Sequence, residues 1–376
     1  MSEKVSRRSY LKYAAGVVTA AVAGAAGYYA GTSTVPAPTP GAAVTTTVTN
    51  TLTRTVTQAA QIAKIDPKDL KFAGMTDCTR DDSSWGSMCW TAQKRMEELY
   101  GCKTSLSESV TNYGDIEKLY RDYLEEGYHF VMWWGFQGAE AALKLCTDYP
   151  KQQVAYTCVT KHGPNAASFV LMEEAPGYVT GMLAGFLTKT NKVGAFCGTE
   201  SPCGQAYVNG FELGAKTVNP KVEVFKAFAG SWTDPAKGKE TALTMMDAGA
   251  DFIGKYAAMT DSGAMAACKD RNVGTTGIFV PQSWMAPEQD YIDFVFDYMH
   301  DYGPVRLAIE NTLAGGAPLG RQVPVGLCPM FSSVIKPVFN DPFNKLPQEL
   351  QDKIRAVCDQ TLAGTYVPMR SQALWT

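Results

Sequence analysis

The alternation of short apolar runs with longer amphipathic runs constrains the fold of this chain more than any other feature. From Leu70 onward, runs such as LKFAGM, YHFVMWW and QVAYTCV alternate with stretches that carry apolar residues at helical spacing. The alternation continues through KVGAFCG, VEVFKAF, DFIGKYA and TTGIFV. Strand–helix–strand repeats of this kind form parallel sheets with helices on both faces. Six or seven such units in about 220 residues fit two doubly wound α/β lobes better than a single sheet.

The N-terminal segment has the composition of an export signal. SRRSYLK, residues 6–12, precedes an uncharged stretch rich in Ala, Gly and Val. A basic start, an apolar middle and a small-residue end are typical of exported proteins, and the pair Arg7-Arg8 is similar to a twin-arginine signal. We therefore assign residues 1–31 to a signal that is either cleaved or kept as a membrane anchor; an ordinary N-terminal helix is the alternative. Residues 32–62, rich in Thr and Pro, predict a stalk, so we expect an extracytoplasmic protein, tethered or secreted.

Composition and motifs argue against several functions. The formal net charge of −3 gives no electrostatic reason to expect a nucleic-acid partner. The chain has three histidines, its ten cysteines form no C-x-x-C pair, and it contains no G-x-S-x-G, P-loop or G-x-G-x-x-G motif. We therefore expect no catalytic residue, no metal and no cofactor. Cys197 and Cys203 flank the short segment GTESP and predict a disulfide, with buried free thiols as the alternative.

Aromatic and acidic side chains gather in the predicted strand-to-helix loops. Open parallel sheets bind ligands beyond the carboxyl ends of their strands, and all of these loops lie on that side. The sequence therefore predicts a ligand cleft lined by two tryptophans, among other residues. Helix capping is the alternative for two of the aspartates, Asp82 and Asp234. The candidate residues are Asp77, Asp82, Trp85, Trp134, Phe136, Asn165, Trp232, Asp234 and Asp261.

Several longer stretches resemble the basic membrane protein family of ABC-transporter solute-binding proteins. They occur in family order from about Lys68 to the C-terminus, and they are DDSSW, GPNAASFVLMEEAPGYVTGMLAGFLTKTNKVGAF, GSWTDPAKGKETA, GADFIGKYAAMTDSGAMAA and LPQELQDKIRAVCDQTLAGTYVP. The resemblance implies a type I periplasmic-binding-protein fold, in which two doubly wound parallel-sheet lobes are joined by a three-segment hinge. We expect lobe 1 to comprise residues 67–172 and 290–322, and lobe 2 residues 173–289 and 323–376.

The resemblance also implies a ligand and partners. Better-understood members hold a purine nucleoside between two aromatic rings, and Trp85 and Trp232 match those rings, with Asp77 near the base edge. The aspartates that face the ribose in those members align with Cys158 and, approximately, with Phe279. The resemblance therefore implies capture of a purine nucleoside or base, adenosine-like, for an ABC permease and its ATPase. A sugar receptor on the same fold and a nucleoside-processing enzyme are the alternatives.

Overall fold

The computed structural model describes residues 64–171, 173–299, 303–316, 318–320, 322–325 and 335–362. The expected signal, residues 1–31, and stalk, residues 32–62, lie outside the described residues. None of the helices in the described ranges combines the length and the apolar character needed to cross a bilayer.

Twelve strands in the described residues form two six-stranded sheets. They are β1 (Lys71–Met75), β2 (Lys103–Ser107), β3 (Phe130–Trp133), β4 (Gln153–Thr157), β5 (Ala166–Leu171), β6 (Lys192–Cys197), β7 (Glu223–Phe228), β8 (Phe252–Tyr256), β9 (Gly274–Phe279), β10 (Asp290–Phe296), β11 (Gln322–Val325) and β12 (Ile335–Phe339). The first sheet has the order β11-β5-β4-β3-β1-β2 and is parallel throughout. The second has the order β12-β10-β9-β8-β6-β7, in which only β12 runs antiparallel.

The helices connect these strands as the alternating pattern predicts. They are α1 (Trp85–Tyr100), α2 (Ile116–Glu125), α3 (Ala139–Leu145), α4 (Glu174–Leu187), α5 (Pro202–Val218), α6 (Pro235–Asp247), α7 (Asp261–Arg271), α8 (Pro304–Leu313), α9 (Asp341–Asn344) and α10 (Gln348–Leu362). The central strands β3 and β4 are buried at every position, because a parallel sheet covered by helices has no solvated face. The two doubly wound α/β sheets expected from the sequence are confirmed.

Helices α4 and α5 pack unusually closely and run in the same direction. A Cβ atom on Gly177 would lie 2.3 Å from the carbonyl oxygen of Tyr207, and one on Gly181 would lie 2.0 Å from that of Phe211. Only glycine permits this approach of the two backbones. Because the contacts advance along both helices together, the two N-termini lie at the same end of the pair, next to the site described below.

The expected lobe boundaries stay a prediction, but strand pairing divides the chain at different points. Strand β10 pairs with β9 in the second sheet, and β11 pairs with β5 in the first. The side chains of β10 explain this placement: Asp290 accepts a hydrogen bond from the Gly277 amide at 3.0 Å, and Asp293 accepts one from the Gln282 amide at 2.7 Å. If the chain is divided by sheet, it passes from the second sheet to the first after β10 and returns to the second after β11. The expected boundaries lie instead at residues 290 and 322.

Candidate functional site

A pocket lies where the loops at the carboxyl ends of the two sheets meet. It holds about 360 Å³ of space that protein atoms do not occupy, and part of this space is open to solvent. The first sheet lines it with Asp77, Cys78, Trp85, the segment 134–137 and Cys158. The second sheet lines it with Cys203, Trp232, Tyr256, Ala258 and Phe279. A ligand in this pocket would therefore contact residues that belong to both sheets.

Five of the nine residues predicted from the sequence line this pocket: Asp77, Trp85, Trp134, Phe136 and Trp232. They follow β1 and β3 in the first sheet and β7 in the second. Parallel strands bring their carboxyl ends to one edge, so loops distant in sequence become neighbours there.

Two of the predicted aspartates cap helices outside the pocket lining. Asp82 accepts hydrogen bonds from the backbone amides of Ser84, Gly86 and Ser87 at 2.8–2.9 Å, at the start of α1. Asp234 accepts one from the Ala236 amide at 2.9 Å, at the start of α6. Both geometries satisfy amides that have no partner within the helix. The capping alternative accounts for these two residues.

The remaining two predicted residues are buried elsewhere. The side-chain amide of Asn165 donates to the carbonyl oxygens of Tyr149 and Gln152 at 2.8 and 2.7 Å, and so fixes a turn. Asp261 is fully buried at the start of α7. Burial raises the pKa of its carboxyl group to about 7, against the opposing effects of the Lys255 ammonium and the Ala257 amide. Neither residue is among those that line the pocket within the described ranges.

Trp85 forms a fixed wall of the pocket. Its indole N–H donates to the backbone carbonyl of Trp134 at 3.0 Å. Its ring meets Phe279 edge to face, with centroids 5.0 Å apart and an interplanar angle of 76°. Only 7% of its surface is exposed. The indole is therefore held by contacts to both sheets rather than left open for stacking.

Trp232 and Phe136 are more accessible than Trp85. Their ring centroids lie 6.4 Å apart at an interplanar angle of 62°, and both side chains are half-buried. Trp232 also contacts Tyr256 edge to face at 6.3 Å. The indole N–H of Trp232 is buried without a hydrogen-bond acceptor. A donor of this kind is costly to leave unpaired, and an acceptor on a ligand would satisfy it.

Asp77 is the acidic residue among the described residues that line the pocket. It accepts hydrogen bonds from the Tyr113 hydroxyl at 2.9 Å and from the Gln137 amide at 3.2 Å. Burial raises the pKa of its carboxyl group, although the bonds from Tyr113 and from the Cys78 thiol favour the ionised form. A carboxylate oxygen can accept more than one hydrogen bond, so Asp77 can accept a further bond from a ligand donor.

Backbone strain gathers in the pocket lining. Cys158, Ala258 and Phe279 adopt left-handed φ angles of 65°, 51° and 71°. Non-glycine residues rarely adopt this conformation, and such strain concentrates at functional sites where the surrounding structure holds it. The family resemblance described above matches Cys158, and approximately Phe279, to the aspartates that face the ribose. That resemblance is the sequence signal that points to these two residues.

Other pocket residues carried no usable sequence signal. Tyr256 is the last residue of β8, where it completes an apolar strand and gives no sign of facing a ligand. Cys203 lies in the first turn of α5. Burial raises the pKa of the Cys158 thiol, whereas the hydrogen bond from Cys158 lowers the pKa of the Cys203 thiol.

The predicted disulfide between Cys197 and Cys203 is wrong, because both residues are free thiols. Cys197 ends β6 and packs against the start of α5, where a Cβ on Gly204 would lie 2.5 Å from its sulfur. The sulfur of Cys203 instead lies 3.3 Å from the Ser201 hydroxyl and is turned toward Cys158. All nine cysteines in the described residues are free.

Two α/β sheets with a pocket between their carboxyl ends define a type I periplasmic-binding-protein fold. The fold is that of a solute-binding protein of an ABC transporter system from Aeropyrum pernix K1. That structure is 18% identical, with a TM-score of 0.68, over 81% of this chain and 95% of its own.

The chain belongs to the Bmp family, described as ABC transporter substrate-binding protein PnrA-like. The family profile matches residues 70–291, more than half of the 376-residue chain. The ABC transporter nucleoside-binding protein BmpA of Lactococcus lactis subsp. cremoris is 29% identical over 216 residues, which are 54% of this chain and 60% of that protein. The putative ABC transporter glucose-binding protein TsgA13 of Haloferax volcanii is 24% identical over 224 residues, which are 59% of this chain and 56% of that protein. The chain thus spans less than two thirds of the length of these two relatives.

Proposed function

We propose that this protein is an extracytoplasmic receptor that captures a purine nucleoside or purine base and delivers it to an ABC permease and its ATPase. The observation that carries the proposal is the pair Phe136 and Trp232, which contribute one ring from a loop of each sheet to the lining of the pocket. Stacking of a base on an aromatic side chain contributes roughly 1–3 kcal/mol per base. The similarity to a nucleoside-binding relative supports the same ligand class.

The charges in the pocket favour a neutral ligand. Among the described residues that line it, none is Lys or Arg. A phosphate or a carboxylate on the ligand would therefore lack the cation that such groups usually require. Asp77 instead offers acceptor oxygens, which suit the ring N–H and exocyclic amine of a purine. These features favour a nucleoside or a free base over a nucleotide or an amino acid.

The ribose-facing positions differ from those of the resembling nucleoside binders. By the resemblance, Cys158 and, approximately, Phe279 take the positions of two aspartates, so the pocket has fewer acceptors for sugar hydroxyls. Both residues line the pocket. We therefore assign most of the recognition to the base and little to the sugar.

Capture would use closure of the cleft. A ligand that contacts both sheets would favour the closed state of the cleft. The permease would then recognise that closed state. The side-chain amide of Gln282 donates to the carbonyl oxygen of Ser83 at 3.0 Å and already links the second sheet to the start of α1. This contact is a candidate latch of the closed state.

A sugar receptor is the second candidate function. The similarity to the haloarchaeal relative named as glucose-binding favours it, and sugars also stack on tryptophan. Two pocket residues argue against a sugar receptor. Sugar hydroxyls need hydrogen-bond acceptors, and the side chains of Cys158 and Phe279 are weakly polar and apolar.

Native mass spectrometry of the purified full-length protein tests the proposal. We expect a co-purifying molecule with the mass of a purine nucleoside or base. A bound hexose would replace the proposal with the sugar receptor. Steady release of free base from added nucleosides would instead assign an enzyme.

A further inference from the structure

Three buried groups from separate parts of the chain meet beside the pocket. The sulfur atoms of Cys158 and Cys203 and a carboxylate oxygen of Glu173 all lie within 4.8 Å of one another. Cys158 follows β4 of the first sheet, Glu173 precedes α4, and Cys203 lies in the first turn of α5. Both sulfur atoms belong to residues that line the pocket, so the cluster has a route to it.

The carboxyl group of Glu173 is incompletely satisfied. Its Oε1 accepts hydrogen bonds from the Cys158 thiol at 3.5 Å and from the Tyr256 hydroxyl at 3.2 Å. Its Oε2 has no hydrogen-bond partner, although the residue is fully buried. A buried polar atom without a partner is costly, and the carboxyl group that carries this one lies beside two sulfur atoms. A cation bound to Glu173 would satisfy this unpartnered oxygen.

The surroundings of the cluster favour a bound cation. Helices α4 and α5 run parallel and begin beside it, and the N-terminus of a helix favours negative charge. The charged groups that act on Glu173 are themselves acidic, namely Cys203 and Glu174. A bound cation would therefore meet three donor atoms beside two helix N-termini and would offset the acidic neighbours of Glu173.

We propose that Cys158, Cys203 and Glu173 bind a thiophilic divalent cation of the zinc class. Two thiolates and one carboxylate are ligands that zinc accepts in a tetrahedral site, with the fourth position left to water or a pocket ligand. Bonds of about 2.3 Å to sulfur and about 2.0–2.2 Å to oxygen hold the ligand atoms close together, as the cluster already does. Binding releases the protons of both thiols.

The site would join the two sheets. Cys158 belongs to a loop of the first sheet and Cys203 to a helix of the second, so one cation would tie together the two walls of the pocket. The three ligands are dispersed in the sequence. They form no C-x-x-C pair and include no histidine, so no metal-binding motif predicted them.

Cobalt titration of the full-length protein tests the site. The protein is reduced, stripped of metal with a chelator and titrated with Co²⁺ without oxygen or any organic ligand. We expect one equivalent to produce a sulfur-to-cobalt charge-transfer absorption in the near ultraviolet, which Zn²⁺ then abolishes. Cys158→Ser, Cys203→Ser and Glu173→Gln should each weaken Co²⁺ binding about tenfold or more. Cys268→Ser is the matched control, since Cys268 is a buried free thiol in α7, and it should bind as the unmodified protein does.

Three outcomes would overturn the site. The first is the absence of a charge-transfer band in the unmodified protein, which does not depend on how any variant folds. The second is equal Co²⁺ affinity in the three ligand variants and the Cys268→Ser control. The third is a Cys158–Cys203 disulfide peptide in the unreduced protein, because it would consume both thiolates. The titration contains no purine or sugar, so its failure leaves the proposed transport function untouched.

Discussion

The rings of Phe136 and Trp232 meet across the pocket with centroids 6.4 Å apart and an interplanar angle of 62°. Phe136 follows β3 of the first sheet and Trp232 follows β7 of the second. The contact therefore brings together two half-buried rings, one from a loop of each sheet. A flat ligand between them would exchange one edge-to-face contact for two stacked faces.

Removing either ring should weaken ligand binding. Phe136→Ala and Trp232→Ala should each lower the affinity for the best purine about tenfold or more, the equivalent of roughly 1–3 kcal/mol of stacking. The double variant should lose less binding free energy than the sum of the two single losses, because loss of one ring frees the base to tilt away from the other ring. Calorimetry measures all three affinities. Trp284→Ala is the control, since that side chain is 66% exposed and does not line the pocket. Unchanged affinity in either pocket variant would show that its ring merely packs.

Trp85 should act on stability more than on stacking. Trp85→Phe keeps an aromatic wall against Phe279 but leaves the carbonyl of Trp134 without its 3.0 Å donor. We expect a loss of about 1–3 kcal/mol in the free energy of unfolding, since that acceptor is buried. Ligand affinity should fall less than in Trp232→Ala. Denaturant unfolding and calorimetry on the same samples separate the two effects, and the reverse ranking would return Trp85 to a stacking role.

Asp82 should matter for folding and not for the ligand. Asp82→Ala removes the acceptor for three amides at the start of α1 and should destabilise the protein by about 0.5–2 kcal/mol. Asp81→Ala, at the exposed neighbouring position, should leave stability nearly unchanged. Urea unfolding gives both values. A large loss of affinity in folded Asp82→Ala would mean that the carboxylate contacts the ligand after all.

Asp261 should make stability depend on pH. Its carboxyl pKa is raised by burial from 3.8 to about 7, so from about pH 4 to about pH 7 the unfolded chain is ionised while the folded protein keeps the proton. The free energy of unfolding therefore loses this contribution as pH rises through that window. The stability of Asp261→Asn relative to the unmodified protein should rise over the same range and level off above it.

Unfolding at several pH values measures this difference. The exposed Asp247→Asn is measured beside it as the control for loss of a surface carboxylate. Parallel stability profiles for Asp261→Asn and the unmodified protein would mean that Asp261 is ionised in the folded state throughout.

The alternating pattern was enough to predict the sheets because strands buried on both faces read as apolar runs. Strand β2, KTSLS, escaped that pattern, since it lies at the edge of the first sheet and none of its residues is fully buried. Strand β10 lies in the second sheet although the expected boundary groups residues 290–322 with the first lobe, and its place in that sheet is supported by hydrogen bonds from the Gly277 and Gln282 amides to Asp290 and Asp293. Periodicity carries no information on such partners.

The candidate site was predictable only in part for a related reason. Aromatic residues in polar loops, such as Trp232, are conspicuous because nothing local explains them. Tyr256 and Cys203 are not conspicuous, since a tyrosine in a strand and a cysteine in a helix pack well without any ligand. Asp82 and Asp234 left the opposite ambiguity, because helix capping and ligand binding use the same residue type in the same loops, and both side chains accept capping hydrogen bonds.

The most direct test of the receptor assignment is a calorimetric titration of the full-length protein with adenosine, guanosine, inosine, their free bases and glucose. The account predicts one binding site per chain for at least one purine, with an affinity that depends on Phe136 and Trp232. It predicts little difference between the best nucleoside and its base, because Cys158 and Phe279 offer the ribose few acceptors. Binding of glucose with no purine bound would contradict the purine assignment and leave the fold intact.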